Sequence, residues 1–467
     1  MQKKRRKILI DLGADALADV LLDLTAHSDV VENRVARMTS SGVENLERFR
    51  RSLKTIPKED HFHTWYDPFA LEEQLTELLM DLEAASLDAR QGVEAVFQIY
   101  RMDEELFEIC DDSDGGVSAF FTDMAPHVFS RYASKCDDTE WLVDGLIDLT
   151  KDDPYGLRAS LFEYASDFLT RKGIEILLDR LRMLAGMDGR EPGDAFWRRA
   201  IEVVARSSGN AALFEEVRRA ARGDRISPSD IVEIAKLYHE TGHHAKALEL
   251  LNSPLLSSLN SCSDRRQDLY FSQLQVANWE RDRLLVDVHR TLGNREEWSQ
   301  AAQRVFDCHR SIDTLATLVE ALGEDRRERV IDDAAETILN AETLSTGDVE
   351  FLMSVGRLSD AATYVLNRPN QIRGEWYGTW TPVADAFMQH EFWLAATVIY
   401  RALLDSMLDR GVSKAYHHGI RYLTNLDVMA DRIEDWRDFA HHGQYAQELN
   451  GAHRRKWSFW QKYKGLR

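Results

Sequence analysis

The sequence predicts an all-α protein, an elongated α-solenoid of degenerate helix pairs in which each pair covers the apolar face its neighbour leaves open. Three observations predict it. Gly293, Gly323 and Gly356 fall 30 and 33 residues apart, each between two apolar helical runs, and His390 takes the same place 34 residues further on. Apolar residues recur in steps of three and four, with no sustained period-two stretch. Only nine prolines occur, and Pro68, Pro154, Pro228 and Pro382 stand where helices should begin or loops should bend.

Taken in order, residues 14–40 place Ala14, Leu17, Ala18, Leu21 and Leu22, then Val30, Val31, Val35 and Met38, at helical steps. Residues 68–110 continue the pattern through Leu71, Leu75, Leu78, Leu79 and Leu82, then Val93, Val96, Phe97, Tyr100, Leu106 and Ile109. Breaks fall at Gly186–Gly193, at Gly223–Asp230, at the serine-rich Ser253–Asp264, and at Asn367–Pro382 with its Gly374 and Gly378. These divide the chain into an N-terminal helical region (1–190), a connecting helical pair (191–228), and a repeat region (229–467) closed by a C-terminal capping helix. Within the repeats, Gly242, Gly356 and His390 are each followed five residues later by an alanine, Ala247, Ala361 and Ala395. A glycine lets the chain turn and an alanine lets the second helix lie close to the first. This spacing resembles the mid-repeat turn of tetratricopeptide units, and Trp298 and Glu328 at the matching places mark the repeats as degenerate.

Composition narrows the function classes. With 44% hydrophobic residues the 467-residue chain is rich enough in apolar groups for a buried core. The 58 Lys and Arg against 79 Asp and Glu leave a formal charge of −21, which repels a polyphosphate, so nucleic acid is not the expected partner. Cys110, Cys136, Cys262 and Cys308 stand far apart without a CxxC pair, the pattern of reduced thiols in a cytoplasm and not of a zinc site. The run Lys3, Lys4, Arg5, Arg6, Lys7 is followed by an apolar stretch interrupted by Asp11, Asp15, Asp19 and Asp23, unlike a signal peptide. No run approaches the ~18 apolar residues of a membrane span.

Three segments carry a resemblance over most of the chain: Asp111-Asp112-Ser113-Asp114-Gly115, the stretch YRALLDSMLDRGVSKAYHHGIRYL from Tyr400 to Leu423, and HRRKWSFW from His453 to Trp460. In this order they resemble a bacterial all-helical family of unknown function, itself similar to the helical regions accompanying SWIM zinc fingers. The finger needs a CxC pair, and none occurs here. The resemblance implies helical repeats and a bacterial origin, and no activity.

The sharpest chemical motif is His239-Glu240-Thr241-Gly242-His243, which fits the HExxH of zinc peptidases, where two histidines on one helix bind metal and Glu240 would be the general base. Gly242 is also the turn glycine of the repeat frame, so the helix should end between the histidines and no metal is expected. Asp111 to Gly116 has the closely spaced carboxylates of a divalent-cation loop, but an EF-hand frame puts Thr122 where a bidentate glutamate belongs, and a helix cap is the expected role. The pairs His61/His63, His243-His244, His417-His418 and His441-His442 have poor chelating geometry on a helix. Trp376, Tyr377 and Trp380 in a glycine-containing loop, with Lys414, Tyr416, His417 and Arg421, are candidate binding residues. The expected function is a cytoplasmic protein-interaction scaffold docking a protein or peptide, without cofactor and without a membrane. The alternatives are the zinc metallopeptidase and a nucleic-acid binder using the basic, aromatic C-terminus. There Arg454, Arg455, Lys456, Lys462, Lys464 and Arg467 interleave with Trp457, Phe459, Trp460 and Tyr463.

Overall fold

The computed structural model describes residues 2–56, 67–186, 194–257, 269–411 and 413–464, and among them every regular element is a helix. No helix among the described residues is long and apolar enough to cross a membrane. His61, His63, most of the Gly186–Gly193 loop, and Cys262 with its serine-rich surroundings lie outside the described residues. The chain divides into two compact units, Met1–His243 and His244–Arg467.

In the first unit, Asp67 caps the amide of Phe69 and Pro68 opens the helix Pro68–Ala84, which buries Leu71, Leu75, Leu78, Leu79 and Leu82. Its neighbour in sequence, Ala89–Tyr100, buries Val93, Val96, Phe97 and Tyr100 and packs on Ala125–Ala133. The helical ladder widens to a π turn at Phe120–Met124, which frees carbonyls for side-chain donors. Tyr100 Oη donates to the Phe121 carbonyl at 2.7 Å and Tyr164 Oη to that of Thr122 at 3.0 Å. Beside this turn the fully buried Asp103 accepts from Arg158 Nε at 2.9 Å and Nη2 at 2.5 Å. Arg158 Nη1 in turn donates to the carbonyl of Asp152. Further on, Arg218 is buried between Glu202, Asp230 and Glu233, tying Ala195–Ser207 and Ala211–Arg222 to Pro228–Glu240.

The second unit contains four helix–turn–helix pairs on the predicted glycine beat. They are Leu269–Leu292 with Arg295–Cys308, Ile312–Leu322 with Arg327–Asn340, Thr346–Ser354 with Leu358–Leu366, and Tyr377–Gln389 with Trp393–Arg410. Gly293, Gly323 and Gly356 sit in their turns at φ +74°, +114° and +80°, a region that a side chain disfavours. At the fourth beat the left-handed residue is Glu391, φ +67°, one position after His390. Neighbouring pairs pack on each other, and Ala247, Ala361 and Ala395 are buried.

Three details differ from expectation. Pro382 lies inside Tyr377–Gln389 and not at its start. It sits one turn in, and the exposed Gly378 carries the carbonyl that the missing N–H would have met. The C-terminal run forms two helices, His442–His453 and Trp457–Lys464, not one. The bend lets Phe459 enter the core, fully buried with its ring 5.5 Å from Tyr416, while Trp460 Nε1 donates across it to the His453 carbonyl at 2.9 Å. Finally, Cys110 and Cys136 are free thiols but Cys308 is disulfide-bonded, which corrects the expectation of four reduced cysteines. Separation along the chain does not limit which thiols folding brings together.

Two stability outcomes follow. Asp103→Leu strands the Arg158 charge in the core and is expected to destabilise by about 3–5 kcal/mol, while Asp103→Leu with Arg158→Met recovers much of the loss; paired denaturant titrations check both. Phe459→Ala is expected to destabilise by about 3–5 kcal/mol, and a melt matching that of wild type would show that the C-terminal helices do not close the unit.

Candidate functional site

The connection from Asn367 to Trp376 is the longest between described helix pairs, and its backbone is fastened at several points. Arg368 Nε donates to the Ala341 carbonyl at 2.9 Å and Nη2 to that of Leu339 at 2.8 Å. Gln371 Nε2 donates to the Glu342 carbonyl at 3.0 Å, and its Oε1 accepts from the Leu344 amide at 2.6 Å. Gly374 is buried against the helix Trp393–Arg410 so closely that an added Cβ would stand 2.1 Å from the Ala402 carbonyl oxygen. A turn then closes with the Trp376 amide donating to the Arg373 carbonyl at 3.0 Å.

This pinned loop presents two large rings to solvent. Trp376 is 49% and Tyr377 64% exposed, whereas Trp380 is buried. The Arg373 guanidinium lies 5.1 Å from the Trp376 ring centre, a cation–π arrangement that limits the ring's freedom. Thr381 and Tyr422 are hydrogen-bonded at 2.9 Å, and Arg421 pairs with Asp385 at 3.6 Å. These two contacts set the helix Tyr377–Gln389 beside Tyr416–Ala430. Tyr377 lies one turn before Thr381 and His418 one turn before Tyr422, so the exposed aromatic pair and the exposed Lys414, His417 and His418 belong to the same ends of two adjacent helices. The rings of His417 and His418 are 3.9 Å apart. Partial burial, then the neighbouring His417 and Arg421, lower the His418 pKa and favour its neutral form. Tyr416 is buried against Phe459 and offers no open ring. The helix Trp457–Lys464, anchored there, brings the Lys456 ammonium beside Gly411 and leaves Trp457 69% exposed.

A second polar cluster lies deeper in the same unit. The Arg401 guanidinium is 4.4 Å from the Tyr445 ring centre and 5.2 Å from that of Trp436, and Nη1 donates to the Ala440 carbonyl at 2.8 Å. Burial lowers its pKa. One turn along the helix, Asp405 accepts from Tyr445 Oη at 2.7 Å, and burial raises its pKa. Asp427 accepts from His442 Nε2 at 2.8 Å and from Tyr463 Oη at 2.5 Å. These bonds attach both C-terminal helices to the helices Trp393–Arg410 and Tyr416–Ala430.

The remaining motifs resolve into caps and turns. The helix Pro228–Glu240 ends inside the HExxH letters. The Gly242 and His243 amides donate back to the carbonyls of His239 and Tyr238 at 3.0 and 2.8 Å, and Gly242 takes φ +82°. His239 and His243 are therefore not on one continuous helix, and Glu240 has no flanking metal pair. Among the described residues no group of three His, Cys, Asp or Glu side chains could hold a metal ion. In the Asp111–Gly116 segment, Asp112 accepts from the amides of Val117 and Ser118 at 2.8 and 2.9 Å, and Asp111 accepts from Ser113. The Asp112 carboxylate caps the start of the following helix, and Asp111 braces the loop before it.

The model of a family of unknown function, DUF6880, matches residues 4–227 and 195–462, and the chain belongs to that family. No curated protein and no solved structure matches the chain.

Arg373 and Gly374 are the site residues that sequence reasoning did not single out as a pair with the aromatics. Gly374 stood in the flagged loop, but only packing shows that it carries the loop's position. Gly374→Ala must push the loop off Ala402 and is expected to cost about 1–3 kcal/mol. A blue-to-red shift of tryptophan emission relative to wild type, measured below the unfolding transition, reports displacement of Trp376; unchanged emission and unchanged melting would refute the pinned-loop account.

Proposed function

We propose that this member of a family of unknown function is a helical-repeat interaction scaffold that docks a short acidic segment of a protein partner. The carrying observation is the pair Trp376 and Tyr377, exposed side by side on a loop whose backbone is fixed by Arg368, Gln371 and Gly374. Large rings held rigid at a surface lose little conformational freedom on binding, which is why such residues dominate interface energetics. The core does not require them, because Trp380 fills the helix interior. Arg373 and Lys414 supply exposed cations at the same helix ends, while Arg421 is already paired with Asp385. The chain as a whole carries −21, so the favoured partner is a short acidic stretch and not an extended polyanion.

The four pairs at a spacing near that of tetratricopeptide units support reading the second unit as a degenerate tetratricopeptide-like solenoid, the architecture in which peptide docking is common. The likeness to helical regions that accompany SWIM fingers is compatible with such a scaffold and adds no chemistry. The HExxH reading is not proposed, since the chain turns between its histidines.

The test is affinity capture from the native host with wild type and with Trp376→Ala/Tyr377→Ala, followed by direct titration of the identified partner. The double variant is expected to bind at least roughly 30-fold more weakly with an unchanged melting temperature. Equal affinity for both chains would overturn the reading. Salt-sensitive binding of single-stranded nucleic acid that disappears in Trp457→Ala would favour the basic C-terminus instead.

A further inference from the structure

The surface that carries Trp376 and Tyr377 continues past them, across the end of the helix Trp393–Arg410. Gly374 is seated on Ala402 and Ser406 of that helix, so the loop bearing Arg373 and Trp376 lies over its final turns. One turn further on the Arg410 side chain folds back, its Nε donating to the Ser406 carbonyl at 3.1 Å. The helix stops at Gly411, φ +66°, and the Lys456 ammonium lies 3.7 Å from the place a Cβ on Gly411 would take. Lys414 follows shortly after, and the packing of Tyr416 on Phe459 holds the start of Trp457–Lys464 beside it. Trp457, two residues before Phe459, is left 69% exposed. Arg373, Arg410, Lys414 and Lys456 thus follow one another over one end of this unit, between the open rings of Trp376 and Trp457.

Charge identifies what this strip receives. None of the four cations forms an ion pair among the described residues, and neither do Arg454 and Arg455, exposed in the bend beside Lys456. The acids beside them are the exposed Glu375 and Asp409, the latter 3.5 Å from His453 Nε2, while Asp405 is taken up by Tyr445. Six cations against Glu375 and Asp409 make a local excess of positive charge in a chain of net −21, and such a patch concentrates anions. Resting on the docking reading above, we infer that the partner's acidic segment is extended and held at two places. One end packs an apolar side chain on Trp376 and Tyr377, and its carboxylates run over Arg410 and Lys414 to Lys456, with Trp457 at the far end. Spacing sets its length. From Ala402 to Gly411 the helix rises about 13 Å, a span that an extended chain covers in about four residues, so a segment of about six to eight reaches both rings. A segment that short stays within the strip, whereas a long polyanion also meets the repulsion of the acidic remainder. The rings carry the affinity, and the cations select the sequence and speed the encounter.

Fluorescence anisotropy of the full chain tests this with a fluorescein-labelled peptide of one phenylalanine followed by a run of glutamates, about eight residues in all, beside the same peptide with glutamines. The glutamate peptide is expected to bind, more weakly as salt is raised, and the glutamine peptide at least roughly tenfold less tightly. Arg410→Glu/Lys456→Glu is expected to raise the Kd for the glutamate peptide by roughly tenfold or more, and the exposed Lys414→Glu alone by roughly threefold, both with unchanged melting. Trp376→Ala/Tyr377→Ala is expected to weaken the same peptide while keeping its salt dependence. Charge variants that bind like wild type, with the aromatic variant weakened, overturn this inference and leave the docking reading standing. An aromatic variant that binds like wild type, with the charge variants weakened, overturns that reading and supports the basic strip alone. Absence of binding to the glutamate peptide overturns the inference, as does a single-stranded oligothymidylate that binds more tightly than the peptide and loses its affinity in Trp457→Ala, which would assign the strip to nucleic acid.

Discussion

An amphipathic helix is stabilised chiefly where another surface covers its apolar stripe, and that requirement governs the second unit. In the second unit each helix–turn–helix pair is covered by the next, so the difficulty moves to the last one. There the bend after His453 turns Phe459 inward against Tyr416, with Tyr445 and Leu449 buried beside it. A straight amphipathic helix would have offered its rings along one line. The bend allows a single ring to fill the space that Gly419 leaves open, since an added Cβ there would meet Phe459 at 3.1 Å.

Where apolar contact alone does not close a helix end, buried or half-buried arginines do. Arg158 holds Asp103 and the Asp152 carbonyl, Arg218 joins three acids from two helices, Arg368 collects carbonyls from the preceding connection, and Arg401 lies between two rings. Five donors in a planar fork make arginine suited to satisfying the carbonyls that a helix terminus leaves unpaired. Helices without a shared apolar consensus can be held in place this way. Loss of Arg158 or Arg218 is expensive, because the acids left behind are unpaired buried charges that cost several kcal/mol, about half of a typical domain's net stability.

The glycine beat was legible because a turn at positive φ is a property of one residue type, and Gly293, Gly323 and Gly356 all adopt it. The fourth turn was placed correctly to within one residue but its left-handed position was not visible, since Glu391 carries no sign of its φ of +67°. Helix phase explains the uneven legibility of the aromatics. Trp376 and Trp380 are four apart and would share a face on one helix. The helix instead begins at Tyr377, with Trp376 as the residue before it, so one indole points into solvent and the other into the core. That distinction rests on a start position defined by Gly374 against Ala402, a tertiary contact with no local signature. HExxH shows the reverse: its letters match, and the repeat frame, also readable in sequence, predicted the break that the structure contains.

The net charge of −21 and the two cationic ends of the sequence are compatible because screening makes charge a local property. At physiological ionic strength a field decays over about 8 Å, so Arg5, Arg6 and Lys7 respond to nearby acids and hardly to the distant carboxylates. The long-range charge keeps copies of the chain apart in general. The same reasoning applies at Arg373 and Lys414, where the short acidic segment proposed as a partner would see nearby cations before the whole protein. On the proposed reading, an acidic chain with small cationic patches would make association selective by position: most encounters would be repelled, and those that succeed would be ones in which aromatic side chains are already aligned for burial.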